Sequence, residues 1–212
     1  MKEINPNLNV KVLFEVVDTA PSETVEINGV KYQRSLKNTG KINNNFNDYM
    51  EILEYFKTID NVDYLIRFQS EFNKQPYIYP IVKKLIEKQD DISKILDPKY
   101  KNLRVRVACP CCGLADKNSF TTKFENETVY SVCPIHGEYT TNIRNESDKL
   151  EYNTPVRNLV RAIAYGMHNN DENQNYQIMR ITGSDYAGFY QEELLYKPAA
   201  LLGFPVNELP SI

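Results

Sequence analysis

Two short segments decide the fold: CPCCG at 109–113 and CPIHG at 133–137. Both follow the pattern C-P-x-[C/H]-G, in which a tight turn brings two metal ligands together and the glycine permits a positive φ. Cys133 follows Cys112 by 21 residues, the spacing expected between the two knuckles of a zinc ribbon. We therefore predict that one zinc ion is bound tetrahedrally by Cys109, Cys112, Cys133 and His136.

Four protein ligands close the coordination sphere, which is typical of a structural zinc, because a catalytic zinc keeps one position open for water. Cys111 lies beside two of these ligands and has two alternative roles. It is a free or supporting thiol, which we favour, or it replaces a ligand or acts as a nucleophile in a small metalloenzyme. The sequence thus predicts an ion that serves folding rather than chemistry.

Length and composition exclude several classes of protein. The 212 residues are too few for two full catalytic domains, and 42% hydrophobic with 25% charged residues exclude wholesale disorder. The formal net charge of −3 provides no global basic field, so any contact with nucleic acid has to come from a local patch. One such patch is a basic run at Lys31, Arg34, Lys37 and Lys41, for which a solvated loop is favoured over a phosphate contact.

The sequence points to the cytoplasm. It has no apolar run near the roughly 20 residues needed to span a bilayer, and MKEINPNLNV lacks the apolar region of a signal peptide. In that reducing compartment the four cysteines are expected to be metal ligands or free thiols rather than disulfides.

The first half of the chain alternates strand and helix patterns. Residues 10–17 predict a buried strand, and Asn28-Gly29 between two β-prone runs is a strong hairpin signal. Apolar residues from Phe46 to Phe56 recur at helical spacing, residues 62–68 predict a strand, and a further helix is predicted after Pro76.

The second half continues this alternation around the cysteine segment. A half-buried strand is predicted at 103–107, with Arg104 and Arg106 on its outward face, and short β-prone pieces follow within 109–143. A helix is predicted from Thr154 as its cap, then a strand at 176–182, and a last helix at 186–202 that ends at Gly203. The pattern predicts an α/β fold with a parallel sheet and a β-rich insert.

Several motifs from Leu103 onward resemble the catalytic domain of class I lysyl-tRNA synthetases. That family has a zinc-binding segment before D-W-P-x-R-W, where this chain has N-T-P-V-R-N at 153–158 and so matches Pro155 and Arg157. A later G-K-D-H-A motif corresponds to G-S-D-Y-A at 183–187. In addition, FEVVDTAP at 14–21 resembles the strand and acidic loop after the family's first signature helix. Asn153, Thr154, Asn158, Ser184 and Tyr186 depart from the family, so lysine specificity does not follow.

The resemblance implies a Rossmann-like, nucleotide-binding parallel sheet carrying an inserted zinc ribbon. The chain would divide into a first part of the α/β domain at 1–108, the ribbon at 109–145 and the remainder of the α/β domain at 146–212. It would bind substrate or nucleotide through Asp18, Arg157, Gly183, Asp185 and Tyr186. The simpler alternatives are an ordinary helix-capping turn at 183–185 and a solvated Arg157.

The family's parent activity is ATP-dependent activation of an amino acid and charging of tRNA. Its H-x-G-H and K-M-S-K-S motifs, which stabilise charge on the triphosphate, do not occur in this sequence. We therefore expect the interior of a longer catalytic domain that binds ATP only when complete, is inactive alone and depends on a complementary chain. The alternative function is a non-catalytic zinc ribbon that binds RNA, such as tRNA, or a protein partner.

Overall fold

The fold is mixed α/β, with several small sheets rather than one large sheet. The computed structural model describes residue 7 and residues 9–44, 46–181 and 183–210. The strands are β1 (Val12–Val16), β2 (Pro21–Ile27), β3 (Val30–Ser35), β4 (Tyr64–Phe68), β5 (Val105–Val107), β6 (Ala115–Asp116), β7 (Lys123–Glu125), β8 (Thr128–Cys133), β9 (Gly137–Asn142) and β10 (Leu150–Tyr152). The α-helices are α1 (Leu36–Thr39), α2 (Phe46–Asp60), α3 (Gln69–Phe72), α4 (Ile78–Glu87), α5 (Gln89–Leu96), α6 (Thr154–Asn169), α7 (Phe189–Gln191) and α8 (Lys197–Leu201).

Parallel pairing in the described ranges is confined to β1 and β4. The predicted parallel sheet is therefore wrong beyond these two strands, and a Rossmann-like sheet is not seen. The reason lies in β5, which pairs antiparallel with β10 and places Arg106 opposite Glu151. That register joins two oppositely charged side chains across a buried ladder, so β5 does not extend the parallel pair.

The hairpin predicted at Asn28-Gly29 is confirmed between β2 and β3. Asn28 has φ 51° and Gly29 has φ 78°, the left-handed pair that a two-residue type I′ turn requires. Strand β6 then pairs antiparallel with β3 as a third strand, with Gln33 opposite Ala115. The N-terminal hairpin is thereby joined by hydrogen bonds to the segment that carries the first cysteine knuckle.

Most predicted helices are confirmed, with shifted ends. Helix α2 covers the predicted apolar spacing, whereas the helix predicted after Pro76 is divided into α4 and α5 at Lys88. Helix α6 is capped by Asn153, whose side-chain oxygen accepts a hydrogen bond from the Val156 amide at 3.2 Å. The expected cap, Thr154, is instead the first helical residue.

The strand predicted at 176–182 does not form in residues 176–181, and Thr182 lies outside the described residues. The side chain of Asn169 satisfies the backbone here, because it accepts from the Ile178 amide at 2.7 Å and donates to the Ile178 carbonyl at 2.9 Å. Ile181 is 90% exposed. A side chain at the end of α6 therefore replaces the ladder that a strand would need.

The last helix starts later than the sequence predicts. Residues Ser184–Tyr186 form a 3₁₀ turn, and α7 is followed by a π-helical turn at Glu192–Tyr196 that continues into α8. Gly203 has φ 77° and ends this helical segment as expected.

One core joins the helices to the strands around α6. Ile81 and Leu85 of α4 are fully buried with Leu159 of α6 and Leu150 of β10, and Val129 of β8 belongs to the same core. The segment around the cysteines is thus packed against the helices through its own apolar residues. Among the helices of the described ranges, none is both long and apolar enough to cross a membrane.

Candidate metal centre

The predicted ligands Cys109, Cys112, Cys133 and His136 come together in the structure, with all their ligand atoms within 4.8 Å of one another. The Sγ atoms of Cys112 and Cys133 are 3.5 Å apart, and Nδ1 of His136 is 3.5 Å from the Sγ atoms of Cys109 and Cys133. A tetrahedron with Zn–S bonds of about 2.3 Å has edges of about 3.8 Å. The cluster therefore has the donors and nearly the dimensions that a zinc ion requires.

Each ligand pair is positioned by a turn that the sequence specifies. In the first knuckle, the Gly113 amide donates to the Cys109 carbonyl at 2.8 Å, and the Cys109 amide donates to the Leu114 carbonyl at 2.8 Å. Gly113 has φ 74° and Gly137 has φ 81°, conformations that side chains rarely adopt. Because Cys133 ends β8 and pairs with Gly137 at the start of β9, the second knuckle is the turn of a hairpin.

The thiols of the first knuckle differ in acidity. Burial raises the pKa of Cys109, but the amides of Cys112 and Cys111 donate to its sulfur and lower that pKa to about 7. Burial and a hydrogen bond with the thiol of Cys133 raise the pKa of Cys112 to about 11. A bound divalent cation deprotonates coordinating thiols, so metal binding at this site would release protons.

Four protein ligands leave no coordination position of the metal open to water, which is the arrangement of a structural zinc site. Cys109 and Cys133 are buried, Cys112 is partly buried, and the His136 side chain reaches the cluster from an exposed position. Cys111 is exposed and does not belong to the cluster. The structure therefore favours a free Cys111 over a ligand role for it.

The basic run of the N-terminal hairpin makes several polar contacts, one of them with the metal cluster segment. Arg34 donates from Nε to the Cys112 carbonyl at 2.8 Å and forms an ion pair with Glu23. Lys41 pairs with the same carboxylate, and Lys37 donates to the Asp148 carbonyl. The Arg34 contact ties the hairpin to the first knuckle, and the other two bind within the N-terminal segment and to Asp148, so part of the run serves structure.

Arg104 and Arg106 do not form an outward strand face, and this part of the sequence interpretation is wrong. Both side chains are buried, and each faces a carboxylate: Arg104 pairs with Asp97 at 2.6 Å and Arg106 with Glu151 at 3.6 Å. Paired charges can occupy interior positions that unpaired ones cannot. Neither arginine is available to an RNA backbone.

The residues suggested by the family resemblance separate into two groups. Burial and the charge of Arg161 lower the pKa of Arg157 to about 10, and its Nη2 donates to the Thr154 hydroxyl at 3.3 Å. Asp18 is buried and accepts from the amide of Ser70 at 3.1 Å and from its hydroxyl at 2.5 Å, which caps α3.

Gly183 and Asp185 are exposed in the loop before α7. A Cβ at Gly183 would collide with Oδ1 of Asp185, so the two residues support the 3₁₀ turn locally. Within the described ranges, no hydrogen bond or ion pair joins Asp18 or Asp185 to Arg157. The structure therefore leaves Asp18 in a capping role, and the segment of Arg157 meets the segment after Tyr186 through the hydrogen bond from Asn158 to Tyr190.

No protein-family model and no curated protein sequence matches this chain.

A second group of charged residues was not predicted from the sequence. Glu15 of β1 and Arg67 of β4 face each other in register and pair at 2.6 Å, and Arg161 of α6 reaches the same carboxylate at 3.3 Å. Two features of the sequence could have indicated this charged group. They are the charged residues inside otherwise apolar strands and the helical spacing of Arg157 and Arg161.

Proposed function

We propose that the chain is a class I synthetase-like domain, stabilised by a structural zinc, that binds an aminoacyl-adenylate type of ligand. Arg157 and Tyr186 would form the binding corner. The parent activity would be ATP-dependent activation of an amino acid for tRNA, and a Rossmann-like ancestry of the fold is part of the same proposal.

The supporting observation is that two separate motif segments meet. The N-T-P-V-R-N segment opens α6 and the G-S-D-Y-A segment precedes α7, yet the Asn158 amide donates to the Tyr190 hydroxyl at 2.9 Å. The rings of Tyr186 and Tyr190 are in edge contact, with 4.9 Å between their centroids. In the proposal, the Arg157 guanidinium supplies a hydrogen-bonding fork and the two rings supply a stacking surface for a nucleoside.

Stable analogues of the reaction intermediate test this proposal. Calorimetric titration of the full chain with aminoacyl-sulfamoyl-adenosines, one for each amino acid, is expected to identify one analogue or a small set that binds. Arg157→Gln should weaken that binding at least tenfold, because it removes a charge-assisted donor. Arg144→Gln is the matched control, since Arg144 is exposed and pairs with Glu127 elsewhere.

Absence of binding by every analogue would overturn the proposal, and so would an Arg157→Gln variant with unchanged affinity. Pyrophosphate exchange gives a second readout. Since the sequence has neither H-x-G-H nor K-M-S-K-S, we expect no exchange from this chain alone.

We propose tRNA as the macromolecular partner of the same domain. Its binding would depend steeply on salt, because phosphate contacts release counterions. Filter binding of bulk tRNA between low and physiological salt measures that slope. A chain that retains no tRNA at low salt would remove this partner while leaving the adenylate proposal to its own titration.

A further inference from the structure

Two arginines, Arg67 and Arg161, pair with the Glu15 carboxylate, and a third, Arg180, donates to Asn158, one helical turn before Arg161 on α6. We call Arg67, Arg161 and Arg180 the arginine cluster. Glu15 accepts from Arg67 Nη2 at 2.6 Å, lies 3.3 Å from Arg161 Nε, and also accepts a hydrogen bond from the hydroxyl of Tyr165. Glu15 is the one carboxylate in the described part of the chain that pairs with any of the three. The cluster therefore carries an excess of positive charge.

This charge is held away from solvent. The side chains of Arg67, Arg161 and Glu15 are only 12–15% exposed. Burial lowers the pKa of Arg180, and the charge of Arg161 lowers it further. The guanidiniums of Arg67 and Arg161 also lie against the ring of Phe72, at 5.0 and 5.8 Å from its centroid. Buried charges that outnumber their counterions are unfavourable, which favours an anion at this place.

The cluster also has donors without acceptors. Nη2 of Arg161 and Nη1 of Arg180 are buried and form no hydrogen bond within the described ranges, whereas Nε of Arg161 faces Glu15 at 3.3 Å without hydrogen-bond geometry and Nη2 of Arg180 donates to Asn158 at 3.1 Å. Native proteins pair nearly all buried donors, and exceptions frequently mark functional groups. Since these donors belong to two arginines from different segments, a single bound acceptor group could satisfy several of them.

The charge balance selects the class of anion. Three guanidiniums against the single carboxylate of Glu15 leave about two positive charges, which a dianion neutralises better than a carboxylate does. Guanidinium forks also match the oxygens of phosphate in bidentate geometry. We propose that Arg161 and Arg180, supported by Arg67 and Glu15, bind the phosphate group of a small phosphorylated ligand. This site adjoins the Arg157–Tyr186 corner, because Arg180 donates to Asn158, but it is built from other arginines and its test does not use the adenylate analogues.

Calorimetry on the full chain tests the proposal with inorganic phosphate, pyrophosphate and a nucleoside monophosphate, each at constant ionic strength in a chloride buffer. We expect saturable binding of at least one of them. Arg161→Gln and Arg180→Gln should each weaken it tenfold or more, whereas Arg144→Gln should leave it unchanged. A nucleoside monophosphate that binds more tightly than phosphate identifies a nucleotide as the source, and equal affinity identifies the phosphate alone.

Arg180→Lys separates binding from folding, because it keeps the charge and removes the planar fork. We expect it to weaken binding at least fivefold, with an unchanged unfolding midpoint in phosphate-free buffer. A wild-type chain that binds none of the three probes would overturn the proposal. Binding that none of the Arg161 and Arg180 variants weakens would also overturn it. Arg157→Gln titrated with the sulfamoyl analogues decides the proposed function separately, because Arg157 does not belong to the arginine cluster.

Discussion

Replacing Arg106 by methionine should destabilise the fold by about 3–5 kcal/mol, because it leaves a buried carboxylate without its cation. Arg106 of β5 lies opposite Glu151 of β10, with 3.6 Å between Nε and the nearest carboxylate oxygen. The two side chains are 3% and 0% exposed. Such a pair contributes little net stability when intact, whereas a broken pair leaves one charge in the interior.

The loss should also depend on pH. Burial raises the pKa of Glu151 and the attraction of Arg106 partly lowers it, so removing Arg106 raises the folded-state pKa further. Below the unfolded pKa of about 4.3, Glu151 is protonated in both states. Above this pKa, the unfolded state loses the Glu151 proton, whereas the folded variant keeps that proton. Stability therefore falls as pH rises, by about 1.4 kcal/mol per pH unit, until the folded pKa is reached.

Urea unfolding at pH 5.5 and 7.5, followed by far-ultraviolet circular dichroism with saturating zinc, measures both effects. The free energy of unfolding of Arg106→Met should fall between pH 5.5 and pH 7.5. The double variant Arg106→Met/Glu151→Met should recover most of the loss, since it removes both charges, and should lack this fall. Arg144→Met controls for loss of an exposed arginine and should unfold as the wild type does. A loss below about 1 kcal/mol for Arg106→Met, or a free energy of unfolding of this variant that does not fall between the two pH values, would refute this reasoning.

Three further changes test other parts of the structure. Purified protein should contain about one zinc per chain by elemental analysis, and Cys112→Ser should lose it while Cys111→Ser keeps it; zinc lost from both variants would place Cys111 among the ligands. Asp18→Ala should lower stability by about 1–2 kcal/mol in urea unfolding, because it removes the cap of α3, and an unchanged midpoint would contradict that role. Gly166→Ala should lower the unfolding temperature despite its better helix propensity, since an added Cβ would lie 2.7 Å from the carbonyl oxygen of Glu208; a higher temperature would show that this contact relaxes freely.

The metal cluster and the hairpin were predictable because their signals are local. The spacing of the two C-P-x-[C/H]-G segments specifies which side chains meet, and Asn28-Gly29 specifies a turn without reference to the rest of the chain. The structure confirms both the proximity of the four ligands and the turn.

Features set by distant pairing were not predictable in the same way. The alternation at 103–107 predicts an outward row of arginines, but Asp97 and Glu151 supply partners that allow both to be buried. Residues 176–181 have strand-like composition, yet the backbone of Ile178 pairs with the side chain of Asn169 instead of a neighbouring strand. In each case a side chain on another element determined the local structure. The hydrophobic periodicity of one segment carries no information about such a distant side chain.

The pairing of β6 with β3 also bears on the order in which the molecule can be assembled. The partners Gln33 and Ala115 are separated by most of the first half of the chain, and the hairpin of β2 and β3 is synthesised long before its third strand. Two-stranded hairpins alone are marginally stable in water. During synthesis this hairpin would therefore wait with an open edge until the first knuckle has emerged, and zinc capture by the second knuckle would then fix the late strand in place. The edge of β3 can therefore be covered only after the first knuckle has been synthesised.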